Sequence, residues 1–267
     1  MTLYLEQMVS RVYSSILSFS MAIPFLTAHW KNLLVINFEV DPATLHSHLP
    51  AGTELDLFDG KCFVSLVAFD FCKTRLFGFL PIPTAVNFEE INLRFYTRKT
   101  VVGEIRRAVT FIKEIVPSPL ISWTARALYN EPYITCKTFR DQSNFNETTG
   151  GEIAYGFKNS DEVIKISGKT FGSDKKLEEG SLPWFILEHY WGYTAQASGD
   201  TLEYRVAHPP WRYWDVSSFE ITGNLQGTYG ELSSLVSGKA HSVFLAKGSP
   251  VSVYLGKKYK QTKNLLK

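Results

Sequence analysis

The chain has 267 residues, 45% apolar and 20% charged, with a formal net charge of +2. That composition gives a globular chain with ample core, and the near-neutral balance supplies no strong field to recruit nucleic acid or an anionic membrane. Three cysteines, Cys62, Cys72 and Cys136, cannot all pair within one chain, and none has a His or Cys partner at zinc-ligand spacing, so a cytoplasmic location is expected.

Residues 12–26 are fairly apolar, but Ser14, Ser15, Ser18, Ser20 and Pro24 break the run, leaving it too short and polar to span a bilayer. Glu6 precedes Arg11 and no small-residue cleavage site follows, so residues 1–25 read as a helix or arm packed on the domain, with export as the alternative. Residues 33–40 are β-rich and end at Asp41-Pro42, after which residues 43–48 have room for one helical turn. Residues 54–58 and 61–71 predict a hairpin about Asp59-Gly60. Pro81 and Pro83 mark a loop, and a strand follows over 87–97. A turn over 98–103 then leads into a return strand over 104–115. Pro117 and Pro119 open a helix over 120–129, with Leu120, Trp123, Ala127 and Leu128 on one stripe. Residues 133–140 resume β character, and 141–151 form a polar loop, where the triplet beginning at Asn146 would carry glycan only in a secreted protein. Further strands are expected at 152–157, 162–167, 201–207 and 251–255. A basic tail over 256–267, with Lys257, Lys258, Lys260, Lys263 and Lys267, reads as solvated.

No heptad, long-period repeat or low-complexity linker divides the chain. Many strands, few helices and hairpin turns predict one α+β domain over 1–267, an antiparallel-rich curled sheet or β-barrel.

In the strand over 87–97, alternation places Glu90, Asn92, Arg94 and Tyr96 on one face and Ile91, Leu93 and Phe95 on the other. The polar row either lines a pocket or meets water. Tyr204, Val206 and His208 also share a strand face. Pro209-Pro210 then stops the ladder beside Trp211. A histidine held there suits proton transfer near neutral pH, or it is a strand-end residue beside a Trp plug. Glu188 and His189 are neighbours and would face opposite sides of a strand. The chain has no GxSxG, HExxH, GxxxxGK[ST] or strand-borne GxGxxG. Its six histidines are scattered, and His46 and His48 would point apart, so neither a metal nor a cofactor is expected.

These residues then converge on a family. Trp30 with Leu33-Leu-Val, Val40-Asp-Pro, Leu49-Pro, Leu55-Asp and Phe58-Asp-Gly60 come first in the series. The central Phe88-x-Glu-x-Asn-x-Arg-x-Tyr96 follows, then Ala125-Arg-Ala-Leu-Tyr-x-x-Pro-Tyr133. Leu187-Glu-His-Tyr190 and His208-Pro-Pro-Trp211 complete it. Together they cover about residues 26–225 and resemble the YqjF-like uncharacterised conserved proteins, whose fold is related to acetoacetate decarboxylase. Phe95, Thr97 and His189 depart from the pattern, the last standing where arginine is expected.

The resemblance implies a curled sheet or barrel around a pocket, often in oligomers, so a homo-oligomer is allowed. The decarboxylase forms a Schiff base through a buried lysine, whereas Tyr133 and Ile134 occupy the matching positions here. A phenol donates a hydrogen bond but cannot form an imine. Lys137, four residues on, is the nearby alternative amine. The row from Glu90 to Tyr96 would then face inward. Arg94, with Asn92, Tyr96 and Trp211, would hold a small organic acid or carbonyl compound. Glu90, with Tyr133 and His208, would handle protons. Binding without turnover is the leading reading. The alternatives are a lyase, hydratase or isomerase using Glu90 with His208 or Tyr133, and a structural or partner-binding barrel whose polar row satisfies itself.

Overall fold

The structure is a computed structural model that describes residues 23–82 and 86–260, so most of the expected arm lies outside the described residues. Its backbone is organised by long strands. They are β1 (Leu26–Val40), β2 (Glu54–Leu55), β3 (Cys62–Leu76), β4 (Leu80–Pro81), β5 (Phe88–Val101), β6 (Glu104–Val116), β7 (Tyr133–Thr135) and β8 (Lys137–Asp141). The second half adds β9 (Phe145–Asn146), β10 (Gly150–Asn159), β11 (Glu162–Lys176), β12 (Trp191–Ala195), β13 (Thr201–Ala207), β14 (Arg212–Thr222), β15 (Ser242–Val253) and β16 (Lys257–Tyr259). Helix α1 spans Pro119–Tyr129, and the short helices α2 and α3 span Leu182–Leu187 and Gln226–Tyr229.

The main sheet runs β16-β13-β12-β6-β5-β3-β1-β15-β14-β11-β10-β8. One further pairing, Val206 with Val253 and Ala207 with Ser252, joins β13 to β15. Strands β13, β12, β6, β5, β3, β1 and β15 therefore form a closed circuit, and β14, β11, β10 and β8 continue beyond it. Most neighbours are antiparallel, while β12–β6 and β6–β7 are parallel.

This arrangement explains the largely apolar run that opens β3, where residues 62–71 are all buried and only Ser65 and Asp70 are polar. Both faces are covered, so the polar half of the usual alternation is lost. One face, carrying Phe63, Val67, Phe69 and Phe71, joins a core with Tyr96, Val109 and Phe185 inside the circuit. The other, carrying Val64, Leu66 and Ala68, packs with Ile91, Leu93 and Phe95 against Ile153, Tyr155, Ile164 and Trp214 of the extension.

Helix α1 follows its sequence signals at its ends, but the expected stripe of Leu120, Trp123, Ala127 and Leu128 is exposed, and Ser122 and Tyr129 are the buried positions. Ser118 caps its N-terminus, Pro119 opens its first turn, and Asn130 ends it in the left-handed region at φ 57°. That reversal returns the chain so that β7 runs beside β6. The segment beginning at Phe185 is the end of a helix, since α2 is capped by Ser181 and buries Phe185, Ile186 and Leu187 in the interior.

Three sequence expectations change in detail. The hairpin at Asp59-Gly60 shrinks to one bridge between Phe58 and Lys61, because β2 pairs with β5 instead of β3. The basic tail is not wholly free, since Lys257–Tyr259 pairs with β13. Strand β14 and the first part of β15 were not expected at all.

Candidate functional site

A cavity of about 260 Å³ lies on the inner face of the closed circuit, against α1 and the segment following α2. Its wall is mainly apolar and aromatic, with Trp30, Phe69, Phe71, Phe88, Phe111 and Trp211 among the lining residues. Polar groups enter from β5, β6, β7 and the loop after β13. Of the residues singled out from sequence, Glu90, Asn92, Arg94, Tyr133, His208 and Trp211 all line the cavity. The alternation on β5 thus turns its polar row inward.

Tyr96 is placed differently and is not among the lining residues. Its hydroxyl lies 2.6 Å from Ser65 Oγ, and Ser65 donates to Asn37 Oδ1 at 2.6 Å. The phenol is held within this polar chain between strands, and its ring packs on His189 at 4.8 Å.

Glu90 is fully enclosed. Asn92 Nδ2 donates to its Oε1 at 3.0 Å, and the Tyr133 hydroxyl donates to its Oε2 at 3.2 Å. Burial pushes its carboxyl up to about 7, outweighing those hydrogen bonds and the attraction of Arg94. Arg94 is only 8% exposed, and its Nε has no hydrogen-bond partner. Glu90 thus takes one hydrogen bond from within the polar row, from Asn92, and one from outside it, from Tyr133.

His208 stacks on the Trp211 indole, with centroids 4.3 Å apart, and its Nδ1 lies 3.0 Å from the Pro209 carbonyl. A carbonyl only accepts, so this contact places the proton on Nδ1. Burial lowers the pKa of His208, favouring the neutral ring. Trp211 is fixed behind it by its indole N–H, which donates to Ser249 Oγ at 2.8 Å.

Two further acids in the cavity wall escaped the sequence reading. Glu114 on β6 pairs in register with Asn92 on β5 and with Tyr133 on β7. Glu131 lies just before β7 and accepts from Thr194 at 2.5 Å and from Tyr204 at 2.8 Å. Burial raises both carboxyls, Glu131 to about 7, and the charges of Glu131 and Glu90 raise Glu114 further. Burial and these same carboxylates hold the Tyr133 phenol far above its ordinary range, so it acts as a donor. Glu114 follows Lys113 within the mostly apolar stretch 111–116, a weak signal, whereas Glu131 sits in a proline-containing turn that gave no signal.

Among the described residues, no lysine lines the cavity. Lys137, the alternative amine, is exposed on β8. His189 lines the cavity, and burial lowers its pKa to about 4. Glu188 caps the end of α2 and accepts from Tyr190. The described residues contain no group of three or more His, Cys, Asp or Glu side chains placed to hold a metal ion.

This architecture is the acetoacetate decarboxylase-like fold. The chain superposes on the enduracididine biosynthesis enzyme MppR complexed with pyruvate with a TM-score of 0.64 at 11% identity, covering 90% of this chain and 93% of that one. Acetoacetate decarboxylase from Legionella pneumophila gives 0.61 at 13% identity, over 90% and 88% of the two chains. An acetoacetate decarboxylase-like enzyme from Sphingomonas wittichii RW1 gives 0.59 at 14% identity, over 88% and 93%. Within that fold, the chain belongs to the DUF2071 family of uncharacterized conserved proteins, whose model matches residues 27–250. It is 25% identical over 233 residues to the uncharacterized protein YqjF of Bacillus subtilis (strain 168), spanning 85% of this chain and 86% of that one.

Proposed function

We propose that the cavity binds a small organic acid or carbonyl compound, with the carboxylate of an acid held on Arg94. The observation that carries this reading is the Arg94 guanidinium, buried in an aromatic wall with its Nε unpartnered. An unmet buried donor is costly, and a carboxylate accepting a two-pronged hydrogen bond would relieve it. The apolar wall would take the rest of a compact ligand. Without a lysine in the wall, Schiff-base decarboxylation finds no support among the described residues. A cytoplasmic setting accords with Cys62, Cys72 and Cys136, all free thiols, and no described helix is long and apolar enough to cross a membrane.

The test is a thermal-shift panel of small keto, hydroxy and unsaturated acids, repeated on Arg94→Ala. A ligand at about a hundred times its Kd stabilises the fold by about 3 kcal/mol, which is several degrees. A shift in wild type that vanishes in Arg94→Ala is the expected result. Equal shifts in both proteins would remove Arg94 from the site.

One observation favours turnover as a second reading: Glu90 is raised to about 7 and hydrogen-bonded to Tyr133. A carboxyl poised there could exchange a proton with a bound acid, with Tyr133 donating to a carbonyl oxygen, in a lyase, hydratase or isomerase. For any ligand that is turned over, Glu90→Gln should lower kcat by at least a hundredfold with little change in Kd. Unchanged kcat would exclude Glu90 as the base.

A further inference from the structure

The acids and the arginine are not mixed at random around the cavity. Asn92, Glu114 and Tyr133 lie side by side on three neighbouring strands, each step being about 4.8 Å. Glu131 extends this row, entering just before β7 and held by Thr194 and Tyr204 from β12 and β13. Arg94 is displaced along β5, two residues from Asn92 and just past a register shift that follows Leu93. One end of the polar lining is therefore cationic and the other acidic.

The cavity-lining residues Trp30, Thr74 and His189 also carry unmet buried polar atoms, but those of the polar row divide in the same way. Asn92 Oδ1 is a buried acceptor without a partner, as Glu114 Oε2 and Glu131 Oε2 become when their carboxyls ionise, while Arg94 Nε is a buried donor without one. A simple carboxylic acid would satisfy Arg94 and leave the three acceptors unmet. A protonated amine carries up to three N–H donors and the opposite charge to the carboxylates. The acids do not form a group spaced to hold a metal ion, which favours a hydrogen-bonding cation over a bare one.

We propose that the cavity selects a small zwitterion, its carboxylate at Arg94 and its protonated amine at Glu114 and Glu131, joined by a compact apolar body. This rests on the reading of Arg94 as the carboxylate site and adds the second pole. Glu90, two residues from Asn92 on the side away from Arg94, takes its hydrogen bonds from Asn92 and Tyr133 and would sense the amine charge through them. Displacing protons from carboxyls that burial keeps protonated couples amine binding to proton release, which simple acids would not produce.

The experiment is calorimetric titration at pH 7 of matched pairs in buffers of different ionisation enthalpy. The amino members are phenylalanine, 3-amino-3-phenylpropanoate and 4-amino-3-phenylbutanoate, spanning three charge separations. Their deaminated counterparts are 3-phenylpropanoate for the first two and 3-phenylbutanoate for the third. At least one amino member should bind tenfold or more tighter than its counterpart and release protons. That preference should fall to parity in Glu131→Gln. Parity or preference for the deaminated acids in wild type would overturn the zwitterion proposal. If those acids then lose binding in Arg94→Ala, the carboxylate reading survives alone. Binding by neither series would overturn both. Should Glu131→Gln fail to fold, the wild-type affinity ratios and proton counts still decide.

Discussion

Glu90 and Glu131 are carboxyls withdrawn from water, and burial lifts both from an ordinary 4.5 to about 7. Folding thus favours their protonated forms. That contribution is complete below about pH 4.5 and is lost as the pH rises through 7. Glu131→Gln retains an oxygen for Thr194 and Tyr204 without the charge. Its stability should match wild type near pH 4.5 and exceed it at pH 8, by at most a few kcal/mol, as a series of thermal melts would read. A difference independent of pH would mean that Glu131 titrates as an ordinary carboxyl. His189 has the opposite sign. Burial lowers it from 6.5 to about 4, so its contribution is complete above 6.5 and lost as the pH falls through 4. His189→Gln should flatten the acid limb of wild-type stability between those values in a series of thermal melts. A limb of unchanged slope would place the acid sensitivity elsewhere.

The elements carry their own test at the turn between β5 and β6. Val102 and Gly103 both have positive φ, 51° and 82°, as a two-residue hairpin of this hand requires. Glycine accepts that geometry, but a β-branched residue does so at a cost of about 1–2 kcal/mol. Val102 is fully exposed and gains no compensating burial. Val102→Asn should therefore raise stability by about 1 kcal/mol in chemical denaturation, whereas a loss would show that the valine is held by something other than its turn. The sequence made this hairpin legible, but the turn expected over 98–103 tightens to residues 102–103 because β5 runs on to Val101. Strand β14 was not legible, because residues 217–220 are exposed and its ladder with β11 sets its conformation instead of burial. In β15, the expected strand over 251–255 is only the end of a longer one. Gly248 is a left-handed kink within the strand at φ 74°, where a Cβ would fall 2.1 Å from the Trp30 carbonyl oxygen. Polar pattern and chain punctuation thus concealed strands that depend on distant partners.

At the scale of the whole molecule, the same distinction separates the readable part of the cavity from the rest. Glu90, Asn92 and Arg94 were readable because two-residue periodicity placed them together, His208 because its strand face runs into Pro209-Pro210, and Tyr133 through motif resemblance. Glu114 and Glu131 were not, since only strand register brings an acid in an apolar run beside one in a turn. Tyr96 shares the row's face, yet Ser65 claims its hydroxyl, a contact that periodicity cannot foresee. The closing ladder has a further consequence, in the order of events during synthesis. Strand β15 pairs with β1, β13 and β14, so the first long strand of the circuit waits for the last. The intervening circuit strands emerge while the ring is still open, and the loop to be closed spans more than two hundred residues. Such non-local pairing makes formation slow and leaves strand edges temporarily available for unwanted association. The acids of the cavity can therefore ionise freely in water until that final strand arrives, and their raised pKa values are a property the nascent chain acquires only at its last step.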